Sequence, residues 1–371
     1  MTGLPQRPLL DLITRQEQPY NAEPSLDKLA SSWVTPLKYF FQRSHGLTPE
    51  VDPERYTLTV DGCVEHPLTL TLKQLQGDFP RATVAATLQC AGNRRLEHSA
   101  LREVEGVQWD AGAIGHAEWG GIPLASLLSR TKLTSKARNV WFTSLDACPL
   151  TSGETSPFGG SISLGKALQP DTLIALTMNG QPLTLEHGFP VRAIVPGFIG
   201  ARSVKWLGAI HVSDIPSENF FMAKDYKIFP PDITQDTARW DTAEALEEFP
   251  INAVICQPLT GTSVPEGRTI IRGYACPPGR RGTSLARVEI SADEGKHWQD
   301  ARLIGNGTPF SWTLWEMELE LAPGAHTLIC RAVDSTGAVQ PETTPWNFKG
   351  YGFNAWHRIH MTVAKSSSIN S

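Results

Sequence analysis

The run Thr87-Leu88-Gln89-Cys90-Ala91-Gly92-Asn93-Arg94-Arg95 holds the most reactive arrangement in the chain. A cysteine at the end of a β-rich segment enters loop chemistry beside two arginines. Neighbouring cations favour the thiolate, and a loop leaves the sulfur accessible. Gly92, without a Cβ, lets a bulky ligand approach the backbone closely. From chemistry alone three readings stand open: a nucleophile, a soft ligand for a metal, and a buried structural thiol. None of the six cysteines belongs to a C-x-x-C pair, which excludes a zinc ribbon or a thioredoxin-type site at the level of motif. Cys256 and Cys330, each preceded by apolar residues, read as small buried hydrophobes.

The elements that must hold this loop are mostly strands. Residues 82–89 (ATVAATLQ) predict the strand that delivers Cys90. Further strands are predicted at 56–60, 138–145, 171–178, 191–195 and 204–212. Short helices fit 70–76 and 122–130, the second with Pro123 in its first turn. The first fifty residues carry Pro19, Pro24, Pro36 and Pro49 and read as an extended arm wrapping a domain. No G-x-G-x-x-G follows a strand, which disfavours a nicotinamide-binding domain. An acidic stretch, 241–248, ends at Pro250. Beyond it short strands at 251–256, 268–275, 285–291, 311–319 and 325–333 argue for an antiparallel β-sandwich. The expected organisation is a mixed α/β catalytic domain over 1–245, a sandwich over 246–363 and a disordered tail over 364–371. The fold class is α+β.

Composition agrees with a globular, loop-rich chain. The 371 residues are 40% hydrophobic and 19% charged, with Gly 31 and Pro 28 favouring turns and β-structure over helical bundles. A formal charge of −5 without a basic tail argues against a nucleic-acid partner. No apolar run approaches the roughly 18 residues of a membrane span. The opening MTGLPQRPLLDLITRQEQP has neither a signal-peptide pattern nor a twin-arginine pair, so the expected location is the cytoplasm.

The loop TLQCAGNRR resembles the molybdenum-ligating loop of the sulfite oxidase family of molybdopterin enzymes. Other segments follow in family order: Asn21-Ala22-Glu23-Pro24, Phe40-Phe41-Gln42-Arg43-Ser44-His45, Met178-Asn179-Gly180-Gln181-Pro182, His187-Gly188-Phe189-Pro190-Val191-Arg192, Gly200-Ala201-Arg202-Ser203-Val204-Lys205-Trp206, Asp225-Tyr226-Lys227, Pro345-Trp346-Asn347 and Asn354-Ala355-Trp356-His357-Arg358. The resemblance spans roughly residues 20–362 and implies a molybdopterin domain followed by an immunoglobulin-like dimerisation domain. It implies Mo-molybdopterin as the cofactor, with no haem or flavin motif in this chain, and a homodimer.

Carried over residue by residue, the resemblance makes Cys90 the thiolate ligand of molybdenum. Phe41, Arg43, His45, Asp146, His187, Arg192, Ser203 and Lys205 match positions that hold the pterin and its phosphate. Arg43, Arg95, Trp109 and Tyr226 match the substrate pocket, where guanidinium forks draw in a small oxyanion. Arg94 is expected to point away and support the loop. His98 and His116 are expected to be structural. Each site residue also has a bland reading as packing, a turn residue or surface charge, and the ordered motifs favour the functional one.

Two positions depart from the family pattern. Ser44 stands where asparagine is more common. Lys349, in Trp346-Asn347-Phe348-Lys349-Gly350, replaces an arginine that reaches from the sandwich into the substrate pocket. Lysine keeps the charge and loses the planar fork. The implied activity is oxidation of sulfite to sulfate with two electrons passed to an external acceptor. The alternatives are a related enzyme acting on another small oxyanion or S-oxide, such as nitrate, and a non-enzymatic β-sandwich binding protein that has lost its metal.

Overall fold

The arm opens the described chain. The structure, a computed structural model, describes residues 10–305 and 307–365. Strands Ile13–Gln16 and Asn21–Glu23 pair antiparallel, and Ala22 then bridges to Gln42. Between them and the rest of the molecule, the Trp33 indole donates to the Trp312 carbonyl (3.2 Å) and the Trp312 indole to the Trp33 carbonyl (2.8 Å). The expected arm is therefore an arm stitched down at both ends.

Two sheets form the front of the molecule. One has the order Gly159–Ser163, Asn139–Ser144, Leu207–Ser213, Thr57–Gly62, Leu68–Thr71, with the pair Leu207–Ser213 and Thr57–Gly62 parallel. The other runs Gln181–Pro182, Leu173–Met178, Ile114–Pro123, Ala82–Gln89, with Arg192–Ile194 also paired to Leu173–Met178. Leu58, Val60, Phe142 and Ile210 from the first sheet meet Ile122, Ile174 and Val191 in one buried core. Alternation puts these side chains on one face of each strand, so burying that face drives the two layers together.

Two further sheets stack as a sandwich. One comprises Asn252–Gln257, Gly267–Cys276, Thr313–Leu321 and Arg302–Ile304. The other comprises Ser263–Pro265, His357–Ala364, Gly324–Asp334, Leu285–Ser291 and Gln299–Asp300. Their facing residues, among them Ile271, Trp315, Ile290, Leu328, Cys330 and Met361, form a core between the sheets. Cys256 and Cys330 are fully buried, as their neighbours imply. Ala364, expected to begin the tail, closes a strand and pairs with Pro265; residues 366–371 lie outside the described residues.

The predicted strand 82–89 is observed as Ala82–Gln89. Ile114–Pro123 was not expected, because Gly120 and Gly121 break the strand pattern. Packing requires both: a Cβ on Gly121 would lie 2.2 Å from the Ile174 carbonyl oxygen, and one on Gly120 2.3 Å from Thr177 Oγ1. The helix expected over 122–130 is shortened to Leu124–Leu128, since Pro123 ends this strand.

Arg94 ties the cysteine loop to the sandwich. It is fully buried, in the left-handed region at φ 66, and starts the helix Arg95–Leu101. Its guanidinium donates to Glu97 Oε1 (2.7 Å), Asn252 Oδ1 (2.8 Å) and the Ala355 carbonyl (2.7 Å). Arg94→Ala strands these acceptors, and Glu97 is partly exposed. The expected loss is therefore about 3 kcal/mol, the low end for breaking a buried pair, read by chemical denaturation.

Candidate active site

Cys90 leaves the strand Ala82–Gln89 and is held by its own backbone. Its amide donates to the Ala113 carbonyl (2.9 Å), and the Asn93 amide donates back to the Cys90 carbonyl (3.0 Å). Asn93 Oδ1 accepts the Ala113 amide at 3.0 Å, and the Arg94 amide donates to the Asp110 carbonyl. Glu23 braces the same loop from the arm, accepting the Asp110 and Gly112 amides at 2.8 and 2.9 Å. Gly92 serves a different neighbour from the one expected. A Cβ there would lie 2.6 Å from the Arg95 guanidinium carbon, so the glycine makes room for Arg95.

Cys90 is 6% exposed and lines a cavity. Phe41, Arg43, His45, Asp146, His187, Arg192, Ser203 and Lys205 all line the same cavity, as does Tyr226. The eight residues assigned to the cofactor therefore share one chamber with the thiol. Arg192 donates to the His187 carbonyl (2.9 Å) and the Ser203 carbonyl (2.8 Å). Lys205 Nζ donates to Ser44 Oγ (2.9 Å) and the Glu186 carbonyl (3.0 Å). Asp146 accepts the Phe158 amide at 2.8 Å and the Cys148 thiol at 3.3 Å.

Cations outnumber carboxylates along this chamber: Arg43, Arg192 and Lys205 stand against Asp146 and Glu186. Burial pushes Lys205 down to about 7, with Arg192 adding to the effect, and pushes Arg192 down to about 9. His187 is held well below the ordinary imidazole range, first by burial and then by Lys205 and Arg192. Arg192 Nε and His187 Nε2 have no hydrogen-bond partner among the described residues. Buried donors without acceptors are costly unless a ligand supplies them. A pterin phosphate carries the missing charge and oxygens, so these residues fit the group. Among the described residues no cluster of three or more His, Cys, Asp or Glu is gathered for a metal. A metal on Cys90 would take its other ligands from the pterin.

A second, more open cavity adjoins the first and shares Arg43 and His45 with it. Arg95, Asp225, Lys349 and Tyr351 also line it. Arg95 donates to the Val107 carbonyl (2.9 Å) and the Lys349 carbonyl (3.2 Å), leaving Nε unpartnered among the described residues. Tyr226 and Tyr351 stack at 5.4 Å. His45 Nε2 is 3.0 Å from Arg43 Nη2 and 2.7 Å from the Tyr226 hydroxyl. The same Arg43 nitrogen lies 3.2 Å from Nδ1, so the guanidinium sits against the ring as a whole. Burial, then Arg43, keeps His45 neutral.

Lys349 reaches the expected cavity, but its ammonium is engaged. It lies 2.7 Å from Asp225 Oδ1, which also accepts the Tyr351 hydroxyl at 2.7 Å. Lys349 keeps the positive charge of the family arginine, as expected, but commits it to an ion pair with Asp225. Trp109 lines neither cavity: it is fully buried in the core beside Cys90, with its indole N–H unpartnered among the described residues. Asp225 and Tyr351 were not assigned from sequence, though both stand beside recognised residues. His98 and His116 are buried and held below the ordinary range, chiefly by burial. His98 Nε2 accepts the Asn347 amide at 3.1 Å, and His116 pairs with Thr87.

The chain matches the oxidoreductase molybdopterin binding domain over residues 45–221 and the Mo-co oxidoreductase dimerisation domain over residues 243–364. Fold and site together define a molybdopterin-binding oxidoreductase. Sulfite oxidase of Gallus gallus is 42% identical over 94% of this chain and 77% of that one. Sulfite oxidase of Arabidopsis thaliana is 40% identical over 98% of this chain and 96% of that one. The sulfane dehydrogenase SoxCD of Paracoccus pantotrophus superposes with a TM-score of 0.79 at 27% identity, covering 97% of this chain and 86% of that one. The chain belongs to the sulfite oxidase family of molybdopterin-dependent oxidoreductases. Among the described residues no helix is long and apolar enough to cross a membrane.

Lys205 gives cofactor-free protein a pH signature. Folding lowers its pKa from 10.5 to about 7, so between those values the unfolded chain holds a proton that the folded one releases. Stability from this group therefore rises with pH across that window, and the penalty is present in full below it. Cofactor-free Lys205→Met is expected to melt above the parent at about pH 6, with the gap closing towards about pH 10. Thermal unfolding across pH reads this, and a gap that widens with pH would contradict it.

Proposed function

We propose that the chain oxidises sulfite to sulfate at a molybdopterin-bound molybdenum and passes two electrons to an external acceptor. One observation carries the reading: a largely buried chamber holding Cys90 and lined by Arg43, Arg192 and Lys205 adjoins, across Arg43 and His45, an antechamber lined by further cations. When bound, the molybdenum cofactor supplies oxygen-atom transfer and a two-electron redox couple. Overall, sulfite and water give sulfate, two protons and two electrons.

The chain's own residues bind, orient and compensate charge. Cys90 would ligate the metal. Lys205, Arg192 and His187 would hold the phosphate, with Phe41 and Asp146 lining the same cavity beside the pterin. Arg43 and Arg95 hold the substrate's oxygens with guanidinium forks, whose donors are fixed before the anion arrives. The Tyr226 hydroxyl, tethered by His45, stands beside them, and Trp109 supports the Cys90 loop from the core. Two chains associate through the region 243–364, whose family model is a dimerisation domain.

A monoanion such as nitrate is the second reading, and the Asp225–Lys349 pair favours it by removing one net positive charge from the antechamber. Purified protein made with an intact cofactor pathway is expected to carry about one molybdenum per chain and to turn over sulfite in preference to nitrate. Cys90→Ser is expected to lose metal and turnover while keeping the melting temperature of the cofactor-free parent. Zinc in the active protein, or nitrate preferred to sulfite, would overturn the reading.

Arginine at position 349 can pair with Asp225 along one edge and still offer a second edge to the anion. Lys349→Arg is therefore expected to lower the KM for sulfite about fivefold, one hydrogen bond's worth, with kcat changed less. Steady-state kinetics give the answer.

A further inference from the structure

We infer that Asn21 is a positioning residue that fixes Arg43 in the orientation that receives the anion; the inference rests on the function proposed above, in which Arg43 holds the substrate. Its basis is a register. The Ala22 amide donates to the Gln42 carbonyl (3.0 Å) and the Gln42 amide to the Ala22 carbonyl (2.8 Å). This reciprocal bridge sets Asn21 beside Arg43. Asn21 is fully buried, and its side-chain amide is fully used. Oδ1 accepts the Ser44 amide at 2.8 Å and Arg43 Nη1 at 3.3 Å. Nδ2 donates to Gln16 Oε1 (2.8 Å), the Pro19 carbonyl (2.9 Å) and the Ser44 carbonyl (3.2 Å). The Ser44 carbonyl in turn accepts Arg43 Nη1.

One end of the guanidinium is thus tied to a rigid, buried amide, while the other end, Nη2, meets neutral His45. An arginine side chain has many rotamers, and ordering them in advance removes that cost from anion binding. The chemistry of the tie matters as much as its place. A carboxylate would hold Arg43 and also cancel its charge, which is what Asp225 does to Lys349 in the same antechamber. A primary amide holds it and leaves the charge for the substrate. Of these two cations, which line the cavity together with Arg15 and Arg95, the structure keeps one available and neutralises the other.

The test is a double-mutant cycle on molybdenum-loaded protein, with sulfate, the product anion, as the probe. Calorimetric titration reads its binding without turnover. Asn21→Ala is expected to weaken sulfate binding about tenfold in the parent and less than about twofold in an Arg43→Ala background, because the effect passes through Arg43. In steady-state assays the same variant is expected to raise the KM for sulfite with kcat changed less. Asn21→Ser carries the cycle if the alanine variant does not fold, since its hydroxyl is too short to reach Arg43 but fills part of the same site. Equal losses in both backgrounds, or unchanged affinity in the parent, would overturn the role of Asn21. A parent that binds no sulfate and turns over no sulfite strikes instead the function on which the inference rests.

Discussion

Two buried cations whose hydrogen bonds, among the described residues, go to neutral carbonyls and a hydroxyl set the terms for the rest of the structure. Arg192 and Lys205 face one chamber, and burial lowers the pKa of both despite the nearby Asp146 and Glu186 carboxylates, which act on Lys205. Such charges destabilise a fold unless something anionic is brought to them. A ligand that binds only the native state stabilises it by mass action, so cofactor and fold support one another. The chamber walls answer the same constraint: Phe40, Phe41 and Phe158 keep water from screening the charges that the phosphate is to meet.

The cysteine loop gains its fixed position from three directions. Glu23 reaches it from the arm, Ala113 from the adjacent strand and Arg94 from the sandwich side. The sandwich also supplies the Tyr274 hydroxyl, which donates to the Ala111 carbonyl at 2.8 Å, and the loop carrying Lys349 and Tyr351. His98 joins the first helix after Cys90 to that last loop through the Asn347 amide. The antechamber is consequently built by both halves of the chain, and a shift between them would be felt at Arg95 and Lys349 together.

Much of this was legible in the sequence, and the reasons differ by residue. The strand before Cys90 and the sandwich strands follow from β-rich composition and the spacing of turn residues, which short segments carry by themselves. Ile114–Pro123 was hidden because its glycines report the closeness of neighbouring strands, a property of the sheet and not of the segment. The helix Arg95–Leu101 was hidden because Arg94, its N-cap, makes no side-chain capping bond. The cofactor residues were legible only through ordered family motifs, since each alone has an ordinary reading. Lys349 was visible as a departure, yet its meaning was not: its partner Asp225 is distant in sequence, and a long-range ion pair leaves no local trace.

The arm carries a further consequence, one of shared mounting. Phe40, Phe41, Arg43, Ser44 and His45 form one wall of the chamber beside Cys90, and the segment just before them is fastened to the sandwich by the paired indoles of Trp33 and Trp312. The wall therefore hangs from the sandwich although the thiol it faces is carried by a strand of the front sheets. A substitution at either indole would reach the chamber without touching any residue that lines it.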